Sequence, residues 1–483
     1  MVRLTLLTGS EREAIHAASL EVLEKAGVKV NNRQALELLM DSGCTVDADV
    51  VHMPPSLVEE SVKKAPASFN LYTREADEAH TVGGDNVIYN PGSAAIFFTD
   101  RITGVMRRAN ARDFKELVRL TDALEHIHAQ STAMVPADVP DQISDLYRLY
   151  VILKNSSKPI VTGAFTKEGL TDMKNMLEAV AGGGDQLSGA PRAIFDCCPS
   201  SPLMWSDVTC QNLLDCAMHG VPAEIIPAPQ MGATSPITIA GTIVEANAEF
   251  LSGAVISQLA EPGSPVVYGG SPSVFDMRHC TARLGAVEAV MAACAFAEMG
   301  KHYGVPTHGY LGLSDSKTVD AQSSFESGMG ILLAAMSRVN VVSGPGMQAS
   351  ENCQSLEKLV IDNELCGTAY RLIDGIQVDK ETLATEVISK VGPGGHFLAE
   401  KHTRDHHRKE RFMPSDVIDR LSPDAWGKAG AKDATQRARE KADKTLREHT
   451  PKPLPKDSEE RLETVFNAIL KRHGINPNQL PTI

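Results

Sequence analysis

The chain has 483 residues, 42% of them hydrophobic and 22% charged. That composition excludes collagen-like, low-complexity and disordered classes and allows about two to four domains around a large core. Lysine plus arginine number 47 against 61 acids, a formal charge of −14 that opposes adhesion to nucleic acid and favours a cationic ligand over an anionic one. The longest apolar runs, such as 331–336, fall far short of the roughly 18 residues a bilayer span needs, and charges before residue 14 interrupt any secretory leader. The expected location is cytoplasmic, with no membrane and no nucleic-acid partner. Nine cysteines include the adjacent pair Cys197 and Cys198 but no C-x-x-C, so reduced, buried thiols are expected rather than a zinc ribbon or a disulfide framework.

Residues 1–80 read as a small α+β extension. Ser10 and Glu13 form an S-x-x-E capping box, and Ile15, Ala18, Leu20, Leu23 and Ala26 give a helical stripe that Gly27 ends. A second helix is expected over 33–42, a third after Pro54-Pro55, and a strand over 69–73. From residue 86 short β-branched runs alternate with helix-length segments: 86–89, 127–133, 159–162, 193–195, 224–226, 265–268, 306–309 and 339–343. Eight such units over 81–350 predict an α/β fold of the (β/α)8 TIM-barrel type, which also removes the unpaired edges of the competing open, doubly wound sheet. After Met347 the strands are expected to cease. Residues 351–483 read as a helical C-terminal region with helices at 355–371, 380–391, 434–448 and 458–474, serving as a dimer interface, a docking surface or a solvated wrap.

In a barrel, function lies at the carboxyl ends of the strands. The residues there are mostly small or neutral hydrogen-bonding groups, with Asp196 beside Cys197 and few lysines or arginines, which suits a shaped pocket better than a phosphate clamp. The stretch Ser314-Asp315-Ser316-Lys317-Thr318-Val319-Asp320-Ala321-Gln322, followed by Glu326, offers acids for a cation, or equally a helix cap and an ion pair. His126 and His128, and His402, His406 and His407, read as ordinary histidines before they read as metal ligands, and no metal site is predicted. Gly392-Pro393-Gly394-Gly395 lacks the spacing of a phosphate loop, and no G-x-S-x-G is present. Tyr89, Phe97, Trp205, Tyr268, Phe275 and Tyr310 cluster near predicted strand ends. Aromatic faces with carboxylates suit a quaternary ammonium group, held by cation–π attraction in an acidic surround; packing at the barrel rim is the equal alternative.

The run Met231-Gly232-Ala233-Thr234-Ser235-Pro236-Ile237-Thr238, with Ser314 to Gln322 and Glu326, Leu359-Val360-Ile361-Asp362-Asn363-Glu364, and Gly392 to Leu398 followed by His402-Thr403, resembles the trimethylamine methyltransferase family. With standard residues throughout, the chain is similar to its non-pyrrolysine branch. The resemblance implies a barrel that moves a methyl group from an amine to the Co(I) corrinoid (cobalamin) of a separate protein, and a homo-oligomer is expected. A quaternary amine, glycine betaine first and proline betaine, carnitine or gamma-butyrobetaine behind it, already carries a neutral leaving group, so no covalent or acid/base residue is required. Under this reading Phe97, Tyr268 and Tyr310 face the ammonium, Asp196, Asp315 and Asp320 balance its charge, Gln322 and Gln348 contact substrate, and Ser350 and His396 contact the corrinoid. A barrel lyase or isomerase acting on a phosphorylated metabolite, and a non-catalytic betaine-binding protein, are the rival readings.

Overall fold

A computed structural model describes residues 2–481. The first helix, Gly9–Lys25, is capped two residues earlier than the S-x-x-E pattern suggests. Thr8 Oγ1 accepts the Glu11 N–H at 3.3 Å while Glu11 Oε2 accepts the Thr8 N–H at 2.7 Å, a T-x-x-E box that satisfies the same orphan donors. Helices Arg33–Asp41 and Pro55–Lys64 follow, and strand Val28–Val30 pairs with both Val50–His52 and the distant Met204–Trp205. The extension is therefore stitched to the rest of the chain.

Each of the eight expected runs overlaps a parallel strand: β1 Ile88–Asn90, β2 Gln130–Ser131, β3 Ile160–Thr162, β4 Ala193–Cys197, β5 Ala223–Ile225, β6 Val266–Tyr268, β7 His308–Tyr310 and β8 Val341–Ser343. They form a five-stranded sheet in the order β6-β5-β4-β3-β2 and a three-stranded sheet in the order β7-β8-β1. The sheets meet at two seams. Tyr268 and Thr307 form one parallel bridge, and Tyr89 O accepts the N–H groups of His128 and Ala129 at 2.9 and 3.2 Å. The paired ladders do not run on into one closed barrel.

Side chains alternate across each strand, and the alternation sorts the interior into layers. Ile88, Ala129, Val161, Ile194 and Val341 share one apolar cluster with Leu71 and Val82. The last two come from the hairpin Ser68–Tyr72/Ala79–Gly83, which plugs the amino-terminal end of the strands. Two residues further along β1, β4 and β8 stand Asn90, Asp196 and Ser343, so the same face turns polar toward the carboxyl ends. Outside the strands, helix Ile239–Ala260 is the one described helix long and apolar enough for a membrane span. It is instead mostly buried, against Gly9–Lys25 and Pro55–Lys64.

Strands do not cease after Met347. A hairpin of Met347–Gln348 and Cys353–Gln354 joins Phe97–Thr99 and Met106–Arg108 in a four-stranded sheet over the carboxyl ends. Helix Leu356–Asp374 then descends along the strands, and Thr385–Val391, Ala434–Glu448 and Lys456–Arg472 wrap the outside. The motif at Leu359 to Glu364 is a brace. Asp362 Oδ2 accepts the Gly346 N–H at 2.7 Å and pairs with Lys358, whose ammonium also reaches Gly312 O at 3.4 Å. Asn363 Oδ1 accepts the His126 N–H at 2.9 Å, and Glu364 accepts the N–H and hydroxyl of Ser415.

Candidate active site

Asp196 and Glu224 are register partners on β4 and β5, so both carboxyl groups point inward from adjacent strands. Burial raises the pKa of each, and the two groups interact directly. Asp196 Oδ1 and both oxygens of Glu224 lack a donor, as expected of two acceptor groups facing one another until a proton lies between them. The Tyr310 hydroxyl at the end of β7 lies within hydrogen-bond reach of Asp196. A third acid enters from the loop after β8. Glu351, held at a left-handed φ of 68°, accepts a hydrogen bond from Ser271 Oγ at 3.3 Å, and burial pushes its carboxyl up to about 8. Cys198 is solvent-exposed, yet burial among atoms of the surrounding protein, then the charges of Asp196, Glu224 and Glu351, push its thiol far up. A group that solvent reaches while protein surrounds it lies at the bottom of a cleft.

Beneath the acids, Asn90 Oδ1 accepts the Gly92 N–H at 2.9 Å, which fixes its amide so that Nδ2 donates to Ser343 Oγ at 2.7 Å. Ser343 Oγ in turn shares a hydrogen bond of 2.9 Å with His308 Nε2. Burial lowers this imidazole to about 3, so it is neutral 3.8 Å from Glu224 and neutralises no acid. On the far side of Asp196, Arg148 is wholly buried and feels the Asp196 charge. The cleft therefore gathers three acids and one deeply placed guanidinium.

The structure brings Asp196 and Tyr310 together and scatters the other residues expected at the site. Tyr268 is fully buried on the opposite face of β6: it stacks on Phe250 at 4.1 Å and donates to Asn247 Oδ1 at 3.1 Å under the helix layer. Its strand neighbour Val267 is the one in register with Glu224, so period-two alternation turns Tyr268 outward. Asp315 braces loops rather than balancing a ligand, its Oδ1 accepting from Leu284 N, Gly285 N and Ser350 Oγ. Asp320 is the N-cap of helix Ala321–Met336, and Gln322 is exposed and bonded to Glu326. Ser350 is committed to Asp315, and His396 lies in an exposed turn with no contact to the cluster. Phe97 is half-buried under the Arg108 guanidinium, 5.7 Å from its ring centre. Gln348 is buried, accepts from Thr99 Oγ1 at 3.3 Å, and leaves Nε2 without a partner. Tyr268→Phe is accordingly expected to cost about 1 kcal/mol of stability through the lost hydrogen bond and to leave ligand affinity within about twofold. Urea melts and calorimetry on one preparation check both.

Glu224, Glu351, Ser271 and Arg148 escape a search confined to strand ends. Glu224 carries a signal, since an acid in the middle of an otherwise buried strand demands a partner. Glu351 and Arg148 carry none, because a loop and a helix bring them in. A groove of about 900 Å³ between Gly169–Ala181 and Lys456–Arg472 lies apart from the acids. A cavity of about 290 Å³, lined by Arg283, Lys317, Ser350 and Asn352, opens at the same rim.

Parallel strands covered by helices, with inward acids converging at their carboxyl ends, define an α/β protein with an acid-lined site. The sequence model of the trimethylamine methyltransferase family (MTTB) matches residues 1–473, and the chain belongs to that family. It is 33% identical over 467 residues to trimethylamine methyltransferase MttB of Desulfitobacterium hafniense (strain DSM 10664 / DCB-2), covering 96% of this chain and 94% of that one. It is 32% identical over 460 residues to glycine betaine methyltransferase of Desulfitobacterium hafniense (strain Y51), covering 95% of each. The solved monomethylamine methyltransferase of Methanosarcina barkeri aligns over 92% of this chain and 88% of its own, with a TM-score of 0.53 at 11% identity, a likeness of fold. The protein is thus a methyltransferase with an α/β fold like that structure, and the reading as a lyase of phosphorylated metabolites loses its support.

Proposed function

We propose that the protein transfers a methyl group from a quaternary amine, glycine betaine foremost, to the reduced corrinoid of a partner protein. The eight strands act as a (β/α)8 barrel whose carboxyl end is the reaction chamber. The observation that carries the reading is the convergence of Asp196, Glu224 and Glu351 with Tyr310 at the bottom of one cleft. An N-methylated cation cannot donate hydrogen bonds and is held by charge and by an aromatic face, which is what this cleft offers. A phosphorylated ligand would meet the same acids as repulsion.

A reduced corrinoid supplies a strongly nucleophilic metal that accepts a methyl group, and the amine left behind is neutral and needs no proton. What remains for this chain is binding, orientation and exclusion of water. The acids hold the ammonium, and Tyr310 sets one wall against which an N-methyl group points toward the mouth. The carboxyl-end loops expose Ile102, Phe165, Ile237, Met277 and Phe325, apolar side chains that a docked corrinoid protein would cover. The test is to mix purified protein, a reduced corrinoid protein and glycine betaine. The expected result is loss of the Co(I) absorbance with an equal amount of dimethylglycine formed. Confirmed Co(I) that persists with every quaternary amine would overturn the proposal.

The raised carboxyl groups also set a pH dependence. Glu351 titrates at about 8, so below that pH a cation must displace a proton to gain its charge. Affinity for the ammonium is expected to rise as pH increases from 6.5 to 8.5, by up to about tenfold per unit for one proton released, and to level off above. In the free protein the sign is opposite. Each acid is harder to ionise folded than unfolded, so the folded chain holds more protons and loses stability as pH rises from about 4 through 8. Calorimetry in buffers of different ionisation enthalpy measures the proton release, and a flat profile would contradict it.

A further inference from the structure

The guanidinium of Arg148 is unusual in having work left to do. It sits on helix Ser144–Asn155 and reaches across the top of β2, where Nη1 donates to Thr132 O at 2.7 Å and Nε to Ser144 O at 3.1 Å. The Phe165 ring lies over it, with its centre 4.5 Å from the guanidinium carbon. The Phe165 N–H is anchored on Asp145 Oδ2 at 2.8 Å, which fixes the backbone that carries the ring. Arg148 is 1% exposed, yet Nη2 and its two N–H groups have no acceptor. Asp196 lies close enough for the charges to interact, and its Oδ1 is also without a partner, but the two do not bond. Gly163, just after β3, carries no side chain beside Asp196; a Cβ there would lie 3.4 Å from the Asp196 Cβ, in ordinary contact. A buried donor pair left unpaired beside a carboxyl group it does not bond calls for another acceptor.

We propose that Arg148 is the specificity residue for an anionic group on the substrate, so that the methyl donor is a zwitterion with a carboxylate at Arg148 Nη2 and its ammonium among Asp196, Glu351 and Tyr310. This rests on the quaternary-amine reading of the cleft and narrows it to betaines, excluding choline and tetramethylammonium as preferred donors. The arrangement is polarised. Arg148 feels the charge of Asp196 from helix Ser144–Asn155, whereas Glu351 enters from the loop after β8 beside Ser271. A carboxylate that reached Arg148 would complete its hydrogen bonds in a dry setting, where a charge-assisted bond is strong.

The test is calorimetric, on the full chain without corrinoid, with glycine betaine, choline and tetramethylammonium as probes. Wild type is expected to bind glycine betaine about 10- to 100-fold more tightly than choline. In Arg148→Gln the preference falls to about twofold while choline affinity stays within about threefold. Arg148→Lys, which keeps the charge but not the fork, is expected to retain part of the preference and guards against a Gln variant that does not fold. Equal affinity of wild type for glycine betaine and choline, or a folded Gln variant with its preference intact, would overturn this assignment while leaving the quaternary-amine reading standing. Failure of wild type to bind any of the three would overturn both.

Discussion

Replacing Asp196 by Asn is expected to raise KM for the quaternary amine about 10- to 100-fold while kcat changes by less than about threefold. The split follows from where charge moves. The ammonium is fully positive in the bound substrate and loses that charge as its methyl group departs, so an acid beside nitrogen stabilises the ground state at least as well as the transition state. Such an acid secures binding and contributes little to the chemical step. The loss stays below the full cost of breaking a buried ion pair because Glu224 and Glu351 remain. Steady-state kinetics at saturating corrinoid protein separate the two constants. A large fall in kcat with KM unchanged would mean that Asp196 acts on the reacting bond.

The second large effect concerns stability. Lys358 and Asp362 are both about 1% exposed and form an i,i+4 ion pair on helix Leu356–Asp374. The pair ties the loops after β7 and β8 together through Gly312 O and the Gly346 N–H. Asp362→Asn would strand a buried ammonium and is expected to cost about 3–5 kcal/mol. The double change Lys358→Met with Asp362→Leu removes both charges and should recover most of that loss, because desolvation of the pair cancels much of its attraction. Urea unfolding of the two variants measures the difference. A double variant as unstable as the single one would show that the Gly346 contact, rather than the charge, carries the brace.

These expectations come from a site only partly legible in the sequence. The strands were readable because β-branched runs end at small or polar residues, and each run overlaps a strand. Position along a strand was readable too, and so Asp196 and Tyr310 meet. Facing was the weak point. Tyr268 stands at a strand end but on the helix side, which counting by two from Asp196 through the register partners Glu224 and Val267 reveals only once the pairing is known. The acidic run at Asp315 and Asp320 shows the converse: its residues sit at the carboxyl end of the strands, yet backbone N–H groups of the neighbouring loop at Leu284 and Gly285 and of the following helix consume them. A sequence does not distinguish an acid that caps from one that waits for a ligand. Glu351 waits because the turn that bears it has strained, left-handed backbone at Ala349, Ser350 and Glu351, a conformation with no residue signature when glycine is absent.

The most direct measurement compares glycine betaine with 3,3-dimethylbutanoate, in which a neutral carbon replaces the ammonium nitrogen at almost the same shape. Titrated into the protein alone at pH 8, the betaine is expected to bind at least about tenfold more tightly, because the cleft recognises charge. Equal affinity for the two would mean that Asp196, Glu224 and Glu351 are not a cation site, and the account of the protein as a quaternary-amine methyltransferase would lose its foundation.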